Sequence, residues 1–135
     1  MLKAARGAMV LTSSTAGIYG YPNRAPYAAA KWGIIGLMKT LAMEWGPEGV
    51  RANAICPGAV EGPRMQGVME REAAAKSTDV QHIYDGYASG TSMRSLVTAE
   101  DIANMAVFLC SIGARLVSGQ VIAVDGHTEN PDPKV

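Results

Sequence analysis

"RAPYAAAKWGIIGLMKTLAMEWGPEG", residues 24–49, decides how the chain is read. From Tyr27 to Trp45 it is built of good helix formers, and Gly46-Pro47 stops it. Tyr27 and Lys31 are four residues apart, a little over one helical turn. Their phenol and ammonium therefore share one face, with only alanines between them. Lys31, Lys39 and Glu44 are the charged residues of this helix, and a helix so apolar is expected to be covered on more than one side.

The flanking segments supply strands. "AMVLTSS", 8–14, is a short apolar run ending in hydroxyl residues and reads as a buried strand. Residues 15–26, rich in Gly and Pro, read as a loop. "VRANAICPG", 50–58, reads as a strand buried on both faces and cut off by Pro57-Gly58. Residues 59–95 form a polar excursion with helical patches, where a lid would lie, and Thr78 to Gln81 has capping-box spacing. Residues 99–111 form a helix with Thr98 as N-cap and Glu100 and Asp101 in its first turn. "GQVIAVDG", 119–126, is a last strand, and 127–135 reads as a loose polar tail. The order strand, helix, strand, excursion, helix, strand predicts an α/β fold with a parallel sheet and crossover helices. Ligands of such sheets bind at the strands' carboxyl ends. Ser13-Ser14 and Pro57-Gly58 both lie there, and the Tyr27 helix begins on the same side.

Composition narrows the function classes. The chain has 135 residues, 48% hydrophobic and 18% charged, with a net charge of +0. That balance gives no electrostatic case for nucleic acid or an anionic membrane. No apolar run reaches the roughly 18 residues of a membrane span. Cys56 and Cys110 have no metal-ligand spacing and lie in apolar stretches. Both are expected to be buried small hydrophobes in a reducing, cytoplasmic setting, with no metal.

Tyr-x-x-x-Lys alone is a weak signal. Its company is specific. Ser14 lies at a strand end 13 residues before Tyr27, and an Asn-Ala-x-x-Pro-Gly strand follows the helix. In the pieces "MVLTSSTAG", "YAAAKWGIIGLMKTLAMEWGPEGVRANAICPGAVEGPRM" and "GQVIAVDG", the chain closely resembles the short-chain dehydrogenase/reductase family. The resemblance implies catalytic roles for Ser14, Tyr27 and Lys31. Pro57, Gly58 and Val60 would line the nicotinamide site of NAD or NADP, together with Gly62, where the family often has a threonine that binds the carboxamide. Tyr27 would exchange the proton of an alcohol or ketone substrate while hydride moves to or from nicotinamide. A free tyrosine, with a pKa of about 10, is a poor base at neutral pH. An adjacent ammonium and the oxidised ring favour the phenolate, and Ser14 would hold the reacting oxygen.

The family's Gly-rich dinucleotide fingerprint, the residue that selects NAD or NADP, and the asparagine of its tetrad are not in these 135 residues. The chain is therefore expected to be the C-terminal portion of a doubly wound Rossmann fold of about 250 residues, N-terminal half absent. Residues 1–126 would be the partial domain, with an open edge on its first strand and poor stability alone. Association as a homodimer or homotetramer through the 27–45 helix is expected in a full-length parent. Two other functions compete: a non-enzymatic remnant keeping that association surface, and a dehydratase or epimerase of a related Tyr-x-x-x-Lys group.

Overall fold

The computed structural model describes residues 2–131, so the last four residues of the 127–135 tail lie outside it. In chain order it contains α1 (Leu2–Ala5), β1 (Ala8–Thr12), α2 (Ala25–Trp45) and β2 (Arg51–Pro57). Then follow α3 (Pro63–Lys76), α4 (Val80–Ser89), α5 (Ala99–Cys110) and β3 (Val121–Val124). The strands form one parallel sheet in the order β1-β2-β3. Ala8 pairs with Arg51 at the start of the first ladder, and Pro57 with Val124 at the end of the second.

β2 is the centre because its sequence suits burial on both sides. Residues 52 to 56 are all buried. Ala52, Ala54 and Cys56 face α2 and pack with its Ile35 and Met38. Small side chains there let the helix approach the sheet closely. Alternate residues face the other way. Arg51 reaches the carbonyls of Leu109 and Ser111 at the end of α5, at 2.5 and 3.3 Å. Asn53, fully buried, donates to the Val117 carbonyl at 2.8 Å and accepts from the Gln120 amide at 3.1 Å. The asparagine of the strand motif thus ties the centre of the sheet to the chain entering β3.

The helix ends follow local chemistry. Thr98 and Asp101 form a reciprocal capping box at the start of α5. Pro26 fills the first turn of α2, and Gly49 at φ 79 completes the turn after it. The excursion folds as a two-helix unit, with Met69 and Ala73 of α3 buried against Ile83 of α4. α4 begins one residue later than the capping-box spacing suggests: Asp79 is its N-cap, accepting from the His82 amide at 2.7 Å. Asp competes well for this position, and Gln81 instead bonds Asp85.

In the single chain α2 is buried at Ile35 and Met38, and Trp32, Leu37 and Met43 are 51%, 53% and 80% exposed. Two further expectations differ from the structure. Cys110 is exposed, because it lies on the outer side of α5, while Cys56 is fully buried. The segment after β3 is anchored. The amides of Glu129 and Asn130 bond the Gly90 carbonyl, and Thr91 pairs with Thr128. No helix among the described residues is long and apolar enough to cross a membrane.

Asn53→Ala leaves the part-buried Gln120 amide and Val117 carbonyl without these partners. It is expected to lower unfolding stability by about 1–3 kcal/mol, read as a fall in the urea midpoint at unchanged slope.

Candidate active site

The site is assembled at the carboxyl end of the sheet by two reciprocal bonds. Where β1 ends, the Ser13 hydroxyl donates to the Lys31 carbonyl at 2.8 Å. In return the Lys31 ammonium donates to the Thr12 carbonyl at 3.2 Å. The same ammonium lies over the Tyr27 ring, 5.6 Å from its centroid. Gly17 makes this approach possible. A Cβ there would run into the Ser13 hydroxyl and stand 2.9 Å from the Lys31 carbonyl oxygen.

Ser13 and Ser14 are thereby separated. Ser13 is buried and committed to α2. Ser14 is half-buried and caps the short turn Thr15–Gly17, its oxygen accepting from the Ala16 amide at 3.1 Å. That bond uses a lone pair and leaves the Ser14 O–H free to donate elsewhere.

The opposite wall comes from the end of β2. Gly58 packs on Asp125, the residue after β3, so tightly that a Cβ would lie 2.9 Å from the Asp125 Cβ and 3.0 Å from its Cα. Asp125 is buried and accepts from the amides of His127 and Thr128 at 3.0 and 3.1 Å. Val60 bridges to Val97, which holds the next turn in place. Gly62, at φ 146, leads into Pro63 and α3.

Between these walls is a cleft of ≈ 540 Å³. Ser14, Tyr27, Lys31, Pro57, Gly58, Val60 and Gly62 all line it. Tyr21, Arg24, Glu61, Arg64, Met65 and Tyr87 line it too. Of these, Met65 and Tyr87 fall within the 59–95 excursion that the sequence marks as the place of a lid. Sequence reasoning missed the charged residues. Arg24, the N-cap of α2 three residues before Tyr27, had a usable signal in its nearness to Tyr27 along the chain. Arg64 and Glu61 had none, since their place depends on how α3 leaves the sheet. His82 is exposed on α4 outside the cleft lining, and Met93 is 74% exposed.

Two tyrosines brace α3 and α4. Tyr84 donates to Glu61 at 3.0 Å, and that bond, with burial, raises its pKa. Tyr87 donates to Glu72 at 3.0 Å, while Lys76 holds the same carboxylate and keeps Glu72 below its usual range. Burial first, then the hydrogen bond to Glu72 and its charge, push Tyr87 up to about 12. Cys56, beneath the site, is raised by burial, and its thiol faces Ser13. No group of three or more His, Cys, Asp or Glu side chains that could hold a metal ion occurs among the described residues.

The arrangement has clear relatives. The family model described as enoyl-(acyl carrier protein) reductase matches residues 1–127. The chain belongs to the short-chain dehydrogenase/reductase family. It is 36% identical over 126 residues to the 3-oxoacyl-[acyl-carrier-protein] reductase FabG of Thermotoga maritima, covering 93% of this chain and 47% of that protein. It is 37% identical over 125 residues to the trans-4-hydroxycyclohexanecarboxylate dehydrogenase of Sinomonas cyclohexanicum, covering 93% of this chain and 42% of that protein. Among solved structures, the F189W actinorhodin polyketide ketoreductase with NADPH superposes with a TM-score of 0.86 at 32% identity. That match covers 96% of this chain and 50% of the ketoreductase. The chain thus spans about half the length of the relatives it matches, and its three-stranded sheet is part of a Rossmann fold.

Tyr87 yields an alkaline prediction. Its folded-state pKa of about 12 lies above the 10.0 of an ordinary tyrosine, so the folded chain holds this proton more tightly. The resulting stabilisation is fully present below pH 10 and is lost as pH rises toward about 12. Spectrophotometric titration of the five tyrosines should end with a step near pH 12 that Tyr87→Phe removes.

Proposed function

We propose that this cleft is the proton-transfer half of an NAD(P)-dependent oxidoreductase site that interconverts an alcohol and a ketone. The convergence of Ser14, Tyr27 and Lys31 on one cleft, opposite the Pro57-Gly58 turn, carries the reading. The residues fit the nicotinamide end of the cofactor. Lys31 offers N–H donors beyond its bond to Thr12, Gly58 keeps the wall free of side chain, and the volume suits a ring with a small substrate. When bound, nicotinamide supplies or accepts the hydride. Ser14 donates its free O–H to the substrate oxygen and fixes its direction. Tyr27 takes the proton from that oxygen in oxidation and returns it in reduction. Lys31 holds ribose hydroxyls with its remaining donors. Gly62 has no hydroxyl to offer the carboxamide, so contact there is through backbone.

The relatives named above act on a 3-oxoacyl-[acyl-carrier-protein] and on trans-4-hydroxycyclohexanecarboxylate, by their names. For this chain the reading is limited to a small-molecule alcohol or ketone. The exposed Trp32, Leu37 and Met43 of α2 favour a second role for that helix, as a surface where copies associate in a homodimer or homotetramer.

Activity is expected in this chain joined to a Gly-rich first half of the fold. There Tyr27→Phe should lower kcat at least about 100-fold while cofactor affinity stays nearly intact. Activity within a few-fold of the parent would remove Tyr27 from the role. For the purified 135-residue chain, which has no Gly-rich phosphate loop, fluorescence titration should find no saturable NADH or NADPH binding below about 1 mM. Micromolar binding would mean that these residues build a dinucleotide site by another route.

A further inference from the structure

The cleft carries more positive charge than proton transfer needs. The chain as a whole has a net charge of +0. Yet the cleft is lined by three cations, Arg24, Lys31 and Arg64, against one carboxylate, Glu61, which already accepts the Tyr84 hydroxyl. Lys31 is engaged with Thr12 and the Tyr27 ring. Arg24 rests on the Tyr21 ring, and among the described residues the guanidinium of neither Arg24 nor Arg64 bonds a carbonyl or carboxylate. Both are exposed, and among the described residues neither is in a salt bridge. A neutral alcohol or ketone gives them no opposite charge to pair with.

Their placement separates two ends of the cleft. Lys31 lies about one turn beyond Tyr27 along α2, and Arg24, the N-cap of that helix, lies three residues before Tyr27. If Lys31 faces the cofactor, Arg24 is on the other side of the phenol, where the rest of a substrate extends. The Arg24 guanidinium lies over the Tyr21 ring, 5.4 Å from its centroid, and its charge is felt at Tyr87. An aromatic support holds the planar fork in a defined direction before any ligand arrives. Arg64 enters the same cleft from the first turn of α3. Two guanidiniums in a walled cleft suit the paired oxygens of a carboxylate or phosphate.

We infer that Arg24 and Arg64 read an anionic group on the substrate, so that the substrate class is an alcohol or ketone bearing a carboxylate or phosphate. The inference rests on the proposed oxidoreductase reading, with the same anion chemistry also present in the cofactor's own phosphates. NMR shift titration of the 135-residue chain separates the two sources without needing turnover. The probes are acetoacetate, its neutral methyl ester, and nicotinamide mononucleotide.

Acetoacetate should shift the Arg24 and Arg64 signals and bind at least about tenfold more tightly than the ester, as expected for charge-assisted pairing. Arg24→Gln and Arg64→Gln should each weaken acetoacetate at least about fivefold and leave the ester unchanged, whereas Arg24→Lys should retain part of the affinity. Both arginines are exposed, so these variants should keep the parent's amide spectrum. Equal binding of acid and ester, no binding of either, or indifference to the arginines would overturn the inference. If the variants weaken the mononucleotide as much as acetoacetate, the arginines serve the cofactor phosphate, and the substrate assignment falls. Failure of Tyr27→Phe to reduce turnover would instead count against the oxidoreductase reading, while the anion-binding result would stand.

Discussion

The exchange of hydrogen bonds between the end of β1 and the second turn of α2 is the constraint on which the site depends. Ser13 gives its proton to the Lys31 carbonyl, and Lys31 gives one to the Thr12 carbonyl. Each alone is a modest interaction, about 1 kcal/mol net. Together, and with Gly17 leaving room, they set how far α2 stands from the strand and how it is rotated. A rotation of one residue, about 100°, would carry Tyr27 out of the cleft. The apolar contact of Ile35 and Met38 with Ala52, Ala54 and Cys56 supplies the adhesion. It is non-directional and could not by itself choose that rotation.

The second wall rests on a similar close approach. Gly58 lies against Asp125 with no room for a methyl group, so the turn after β2 cannot drift from the end of β3. Asp125 is held by the amides of His127 and Thr128. The chain after β3 then returns to the end of α4, where Glu129 and Asn130 share the Gly90 carbonyl and Glu129 meets Arg94 at 3.5 Å. The end of α4 is thereby tied to the same sheet end that faces Tyr27. Tyr19 adds a bond to the Thr128 carbonyl at 3.3 Å from the loop before α2.

Much of this was legible in sequence because it was local or periodic. The α2 helix, the strand around Asn53, the Thr98 cap and the parallel sheet follow from runs of a few residues whose chemistry is self-contained. The seven candidate site residues were legible as one cleft because strand ends and helix starts in a parallel α/β fold meet on one side. What was not legible depends on contacts between distant segments. Cys110 looks as buried as Cys56 in its apolar run, but nothing in that run says which side of α5 faces the sheet. Asp79 outcompeted Thr78 as a cap, a choice one residue wide. Residues 127–130 read as a polar tail, yet their backbone finds partners at Gly90 and Ser92, which no local pattern announces. Arg24 and Arg64 enter the cleft from elements on either side of β2, so their proximity to one space is a property of the fold.

The central claim is that Ser14 and Tyr27 together receive the reacting oxygen while Lys31 faces the cofactor. A crystal structure of this chain joined to a dinucleotide-binding first half, with an oxidised nicotinamide cofactor and an alcohol, tests it most directly. The account predicts the alcohol oxygen within hydrogen-bond distance of both the Ser14 Oγ and the Tyr27 Oη, the Lys31 Nζ on the nicotinamide ribose, and Ser13 still bonded to the Lys31 carbonyl. An alcohol oxygen held away from Tyr27, or a ribose that Lys31 does not touch, would contradict it.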